Sequence, residues 1–361
     1  MAEGDVTGAL LRLKFCPVST KRISRERPLK PSVIITIFAG SLAALPAASH
    51  HSEAGYDSES VAAFEGTVTH YGWRNPHVYI TVEAADESGE TVEWLVETGA
   101  TPIMARSGWT PQSLAPGDVI SVRGHPDKRA GKHGVILLSL TKDDGTVLAQ
   151  VHGASEPPDA VATSLAGVWR GVPSAIESFN RALNSTPLTA AGEAAKASYD
   201  YMTDMRAAEC IAPQSPRIIT SNVLYLSEIE IGDDVVFIRS EYLDAVRTVF
   251  MDGRGHPEDV EPTPQGHSIG RWEDGALIVD TVAFAEQQSV NGQGVPSSPQ
   301  KHTIERYALT DEGRRLTVDV FLEDPVYLAE PFSGQLEWQY SPTLSFHRYN
   351  CDPEISAIFL E

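Results

Sequence analysis

The sequence predicts a mainly β protein of two barrels in tandem, a five-stranded one followed by a larger antiparallel one. Three observations predict it. Residues 60–151 hold five short runs rich in β-branched and aromatic residues, separated by Gly, Asn-Pro and Asp-Gly signals. Residues 221–349 hold about nine more with short turns between them, the pattern of a meander that closes on itself. Between the two sets, residues 153–163 are rich in Ala, Pro and small polar residues without apolar periodicity, and read as a linker.

Ahead of both barrels lies a segment of another kind. An apolar run over 33–44 follows the basic residues Lys21, Arg22, Arg25, Arg27 and Lys30 and precedes Leu45-Pro-Ala-Ala-Ser49. Basic flank, short apolar centre and small-residue exit make a secretory signal, too short to span a bilayer. Residues 1–49 are therefore expected to be a presequence and the mature product, from near His50, periplasmic or secreted. No later apolar run is long enough for a membrane helix, so membrane insertion after cleavage is not expected.

The first barrel domain is expected over 50–152, with strands at 65–71, 77–84, 91–97, 118–124 and 134–141. One helix is expected over 101–108, and Leu114-Ala-Pro-Gly-Asp118 turns the chain into the fourth strand. Five strands with a helix between the third and fourth is the order of an OB-like barrel. The second domain is expected over 164–361. It opens with Gly167-Val-Trp169, carries a helix near 190–199, and continues as strands at 221–231, 235–242, 246–251, 268–272, 277–284, 303–309, 315–322, 335–340 and 344–349. Trp169 near the start of the domain, with Arg348 on the last expected strand, resembles the lipocalin-like (calycin-type) pattern, in which an Arg from the last strand covers a Trp on the first and seals one barrel end.

Composition narrows the partners. The chain carries a net charge of −21, and removing residues 1–49 makes the remainder more acidic still. Such a surface repels phosphates and anionic lipid, so nucleic acid is excluded as a partner and a small-molecule substrate or ligand is expected. Of the three cysteines, Cys16 leaves with the presequence; Cys210 and Cys351 are expected to form a disulfide in an oxidising compartment.

Two family resemblances cover nearly all of the mature chain. His50-His51-Ser52, Gly66-Thr-Val68, Asn75-Pro-His77 and the Leu114-Ala-Pro-Gly-Asp118 turn resemble a bacterial family of small exported proteins of unknown function. Asp252-Gly-Arg-Gly-His256-Pro257 and Gly266-His-Ser-Ile-Gly-Arg-Trp272 resemble a second uncharacterised family found in secreted proteins. Neither resemblance implies an activity. Residues 291–300 depart from the second family's aromatic, His-bearing loop.

The chemistry-bearing residues gather in the second domain. If Asp274-Gly275 makes a type I′ turn, Arg271 faces Ile278 and Ile269 faces Asp280. One face of that hairpin then carries Trp272, Leu277 and Val279 for packing, and the other carries His267, Arg271 and Asp280. A carboxylate that fixes an imidazole's tautomer is a common acid–base arrangement, and an adjacent Arg can hold an anionic group. The expectation is that these three face one ligand-accessible cavity of the larger barrel, with residues 252–256 at its mouth. In this reading His267 or His256 transfers the proton and Asp280 or Asp252 orients the ring. Arg271, Arg254 or Arg247 binds the substrate, with Glu305 and Tyr307 on a further strand as added contacts.

No phosphate loop, dinucleotide fingerprint, Gly-x-Ser-x-Gly elbow or His-Glu-x-x-His occurs. The expected chemistry is therefore lyase, isomerase or hydratase work on a small organic molecule, without a nucleotide cofactor. The alternative is a non-catalytic periplasmic binding protein for an apolar ligand or for copper. A mature terminus with His50 and His51, supplemented by His77, has the donors that chelate Cu(II).

Overall fold

The computed structural model describes residues 55–129, 131–150, 160–200 and 209–354. The apolar run at 33–44, the copper-site residues His50 and His51, and most of the expected linker lie outside them.

The smaller barrel is built from β1 (Ala62–Gly72), β2 (Tyr79–Ala85), β3 (Thr91–Glu97), β4 (Val119–Pro126), β5 (Gly134–Lys142) and the short β6 (Val147–Ala149), in spatial order β3-β2-β1-β4-β5-β6. A parallel pairing of β3 with β5 closes five of these strands into a barrel. Alternation sends Val68, Ile80, Val82, Val96, Ile120, Val122, Val135 and Leu140 inward. Gly66 is needed where β1 crosses β2, since a Cβ there would sit 2.5 Å from the Glu83 carbonyl oxygen. Helix α1 (Thr101–Arg106) starts with Pro102 in its first turn, buries Met104 in this barrel's core and packs Ile103 in a separate cluster with Leu243 and Tyr349. Every strand and the helix expected here are present.

The larger barrel is closed and nine-stranded. Its strands are β7 (Gly167–Gly171), β8 (Ser227–Ile231), β9 (Val235–Ser240), β10 (Val246–Phe250), β11 (His267–Glu273), β12 (Ala276–Val282), β13 (His302–Thr310), β14 (Arg315–Glu323) and β15 (Phe332–Tyr340). The pairings are antiparallel except β10 with β11, which run parallel. Parallel neighbours cannot be joined by a tight turn, so residues 251–266 make a long excursion before the chain re-enters the sheet. The lumen is packed by Trp169, Val236, Val249, Leu277, Val279, Tyr307, Leu316, Val318, Leu336 and Trp338, all nearly inaccessible.

Three elements depart from expectation. Helix α2 (Pro173–Leu183) is not among the expected elements; its Ile176, Phe179 and Leu183 share one face and plug the barrel end, with Phe179 edge-on to Phe332 at 5.1 Å. The expected helix near 190–199 forms as α3 (Ala190–Ser198), capped by the Thr189 hydroxyl accepting from Gly192 N–H. Residues expected to begin a strand at 221 instead form a 3₁₀ turn (Ser221–Val223) directly after the short α4 (Arg217–Thr220), and pairing starts at Ser227. No strand forms over 344–349. Arg348 is exposed there, and Tyr340 rather than Arg348 packs on Trp169, ring centroids 5.1 Å apart.

Candidate functional site

The Asp274-Gly275 hairpin has the expected register. Both turn residues have positive φ (50° and 79°), Arg271 pairs with Ile278 and Ile269 with Asp280. His267 and Asp280 therefore share a face, but it is the outer wall of the barrel. The reason is the opposite face: Ser268, Leu277, Val279 and Thr281 are buried in the lumen. Trp272, expected in that packed set, lies at the strand end and stays 48% exposed.

On this outer wall five side chains form a continuous chain of hydrogen bonds. The excursion at 251–266 carries His256 over the sheet, where its Nδ1 lies 2.8 Å from His267 Nδ1 and its Nε2 lies 3.2 Å from Asp280 Oδ1. From the next strand, His302 places Nε2 2.8 Å from the same Asp280 oxygen and Nδ1 3.0 Å from Glu323 Oε1. His267 stacks on Phe250, whose other contact is the Arg254 guanidinium, 4.2 Å from the ring centroid.

The partners fix the protons. An ionised carboxylate only accepts, so His256 Nε2 and both nitrogens of His302 carry hydrogens. With the His256 hydrogen on Nε2, its Nδ1 accepts from His267 Nδ1–H, which leaves the lone pair of His267 on Nε2. That atom has no hydrogen-bond partner among the described residues. The electrostatics divide the imidazoles in the same sense. The Asp280 hydrogen bond, against an opposing cost of burial and with help from Glu323, raises His302 to about 9. Burial, then the neighbouring His256 and Arg254, lower His267 below its ordinary value. Asp280 is lowered, chiefly by the His302 hydrogen bond. At neutral pH His302 is thus an imidazolium and His267 a neutral imidazole, joined through Asp280 and His256.

The other expected site residues are placed elsewhere. Asp252 touches no imidazole; it forms a forked pair with Arg254, with Nε bonds of 2.8 and 2.9 Å, and that pairing lowers its carboxyl to about 2. Arg271 pairs with Glu273 at 3.0 Å, not with Asp280. Arg247, Glu305 and Tyr307 lie inside the barrel, not in an open cavity. Arg247 donates to Glu305 and Tyr307, Tyr307 Oη donates to Glu305 Oε2 at 2.6 Å, and Ser215 also donates to Glu305. Burial opposes these charges, but each guanidinium–carboxylate contact outweighs it, raising Arg247 and lowering Glu305. Beside Arg247 the lumen leaves a cavity of only about 10 Å³, room for one water at most. His77 is bound within its own barrel, 2.9 Å from the Thr98 carbonyl oxygen and 3.2 Å from Glu97. Among the described residues no group of three or more His, Cys, Asp or Glu side chains is arranged to hold a metal ion.

Residues 40–137 match a family of unknown function (DUF6152). That span runs through the smaller barrel into β5 and includes the Asn75-Pro-His77 motif. No curated protein matches. Among solved structures, a crystal structure of a point mutant of the fluorescent protein UnaG is similar over 49% of this chain and 96% of that one, at 12% identity and a TM-score of 0.25.

The matched span also supplies one side of the junction between the barrels. Asn75 Oδ1 accepts from Thr101 N–H at 2.8 Å, and its Nδ2 donates to Thr101 Oγ1 and to the Tyr349 carbonyl. Glu241, fully buried, accepts four 2.8 Å bonds, two from Arg106 Nη1 and one each from the backbone N–H groups of Leu226 and His347. The expected disulfide, Cys210–Cys351, anchors the same C-terminal segment. His302 and Glu323, absent from the expected site, had a sequence signal. Continuing the strand alternation two residues back from Ile304, which pairs with Asp280, puts His302 on the Asp280 face.

Proposed function

We propose that this is an exported small-molecule-processing protein whose acid–base centre is the outer wall of the larger barrel. His267 Nε2 is the base and, once protonated, gives the proton back; His302, whose two N–H groups are held by Asp280 and Glu323, keeps Asp280 ionised, and Asp280 fixes the His267 tautomer through His256. The single observation that carries this reading is Asp280 Oδ1 bonded to two imidazoles, one of them relaying to His267. An imidazole whose tautomer is set through an ionised carboxylate is a common acid–base arrangement. Lyase, isomerase or hydratase chemistry is what such a base supports, because each needs a proton taken from one atom and returned to another. The disulfide supports an oxidising compartment.

The test is an NMR titration of the histidine rings in the folded protein. His302 is expected to titrate near 9 and His267 below 6.5, its ordinary value. Coincident midpoints near 6.5 would show that Asp280 does not set the two rings apart, and would remove the reading. Exchange of carbon-bound protons in D₂O across a panel of 2-oxo and 3-oxo acids then identifies the substrate class, with His267→Gln as the inactive control.

A further inference from the structure

We propose that the cleft between the two barrels binds a small planar organic carboxylate, with Arg348 holding the charge and Trp73 the plane. The cleft measures about 510 Å³, within the roughly 300–1,000 Å³ range of small-molecule sites. One wall is the turn after β1, bearing Trp73, Arg74 and Asn75; the other is the C-terminal segment, bearing His347 and Arg348.

Charge is the first argument. The chain as a whole carries −21, yet two guanidinium groups and an imidazole line this cleft beside one carboxylate, Asp352. Asp352 pairs with Arg74 at 3.2 Å. Arg348 has no ion-pair or hydrogen-bond partner among the described residues. A guanidinium left unpaired in a concave site offers a planar fork that matches a carboxylate. An acidic exterior with a local cationic recess also repels anions everywhere except at the recess.

Shape is the second. Trp73 is half-buried: part of its ring packs on the smaller barrel's core and part remains for the cleft. An indole face favours a flat, partly apolar body over a compact anion such as acetate. Rigidity is the third. Asn75 ties the turn to both Thr101 and Tyr349, Glu241 holds the His347 backbone, and the disulfide fixes Cys351 two residues beyond Tyr349. Walls held before the ligand arrives lower the ordering cost of binding.

Calorimetric titration of the disulfide-intact protein with benzoate, benzyl alcohol and acetate tests the proposal. Benzoate is expected to bind saturably, and the neutral ring and the ringless anion each at least about tenfold more weakly, the effect of losing one charge-assisted contact or the stacking face. Arg348→Gln should weaken benzoate about tenfold while leaving the unfolding midpoint unchanged. Trp73→Phe should also weaken benzoate. Absence of saturable benzoate binding in the millimolar range, equal binding of benzyl alcohol, or full affinity in Arg348→Gln would each overturn it. Neither Arg348 nor Trp73 belongs to the His267–Asp280–His302 chain, so this result and the histidine titration stand or fall separately.

Discussion

Asp280 accepts from two imidazoles through one oxygen, and the loss of that oxygen's charge is the most informative single change in the molecule. In Asp280→Asn, His302 should fall from about 9 towards its ordinary value, because the first cause of its rise is the Asp280 hydrogen bond. Ring NMR measures this directly, and an unchanged His302 midpoint would contradict the assignment. The same shift makes a stability statement. A folded-state value above the unfolded 6.5 means that the native state holds the proton more tightly. The stabilisation is fully present below pH 6.5 and is lost as pH rises through about 9. Denaturant midpoints across that window should decline in the wild type and stay flatter in Asp280→Asn.

Inside the barrel, Arg247 and Glu305 obey different arithmetic. Removing one partner strands a fully buried charge, so Arg247→Met should cost about 3–5 kcal/mol in urea unfolding. The double variant Arg247→Met with Glu305→Leu should recover much of that loss, since apolar residues of similar volume often replace a buried pair at little cost. If the double variant is as unstable as the single one, the pair contributes more than mutual neutralisation.

Among the elements, α2 shows what packing adds to a pattern. Only Ile176, Phe179 and Leu183 of its eleven residues are buried, so the segment reads as polar although those three share a face. Phe179→Ala should cost about 3–5 kcal/mol by emptying the plug against Phe332, as measured by chemical denaturation. The strands were legible because alternation and turn residues agree: the Asp274-Gly275 turn fixes the whole β11–β12 register. Which face turns inward was not legible from that hairpin. Ala276, Leu277, Ile278 and Val279 are consecutive and all buried, so β12 shows no polar face to mark the outside. The site was legible as far as His256, His267 and Asp280, which depend on local register and a neighbouring loop. His302 and Glu323 depend on the pairing of β13 and β14 beyond the hairpin. The 344–349 segment failed as a strand because Asp244 and Glu241 take up the backbone N–H groups of Tyr349, Asn350 and His347 that a sheet would have used.

At the scale of the whole molecule, the disulfide closes a loop of 141 residues around eight of the nine large-barrel strands. Reduction should lower stability by about 4–5 kcal/mol in the chain-entropy account. Intact mass after alkylation, with and without reductant, paired with thermal unfolding of both forms, measures it. Two freely alkylated thiols in unreduced protein would contradict the bond. The junction adds to this restraint, since Arg106 of one barrel reaches the buried Glu241 of the other, and Glu241→Gln would leave that guanidinium half-satisfied.

The larger barrel is sealed where its first strand, Gly167–Gly171, meets its last, Phe332–Tyr340. The smaller one is sealed by strands that lie within residues 91–142. A chain delivered from its N-terminus, by the ribosome or through any pore, thus completes the first barrel while the second still has two open edges. Those edges can pair with any exposed strand until residue 332 arrives. Such distant pairing is slow to form, so crowding of half-delivered chains is the moment of greatest danger for this protein. Its yield on expression should therefore depend on delivery rate far more than its finished stability suggests.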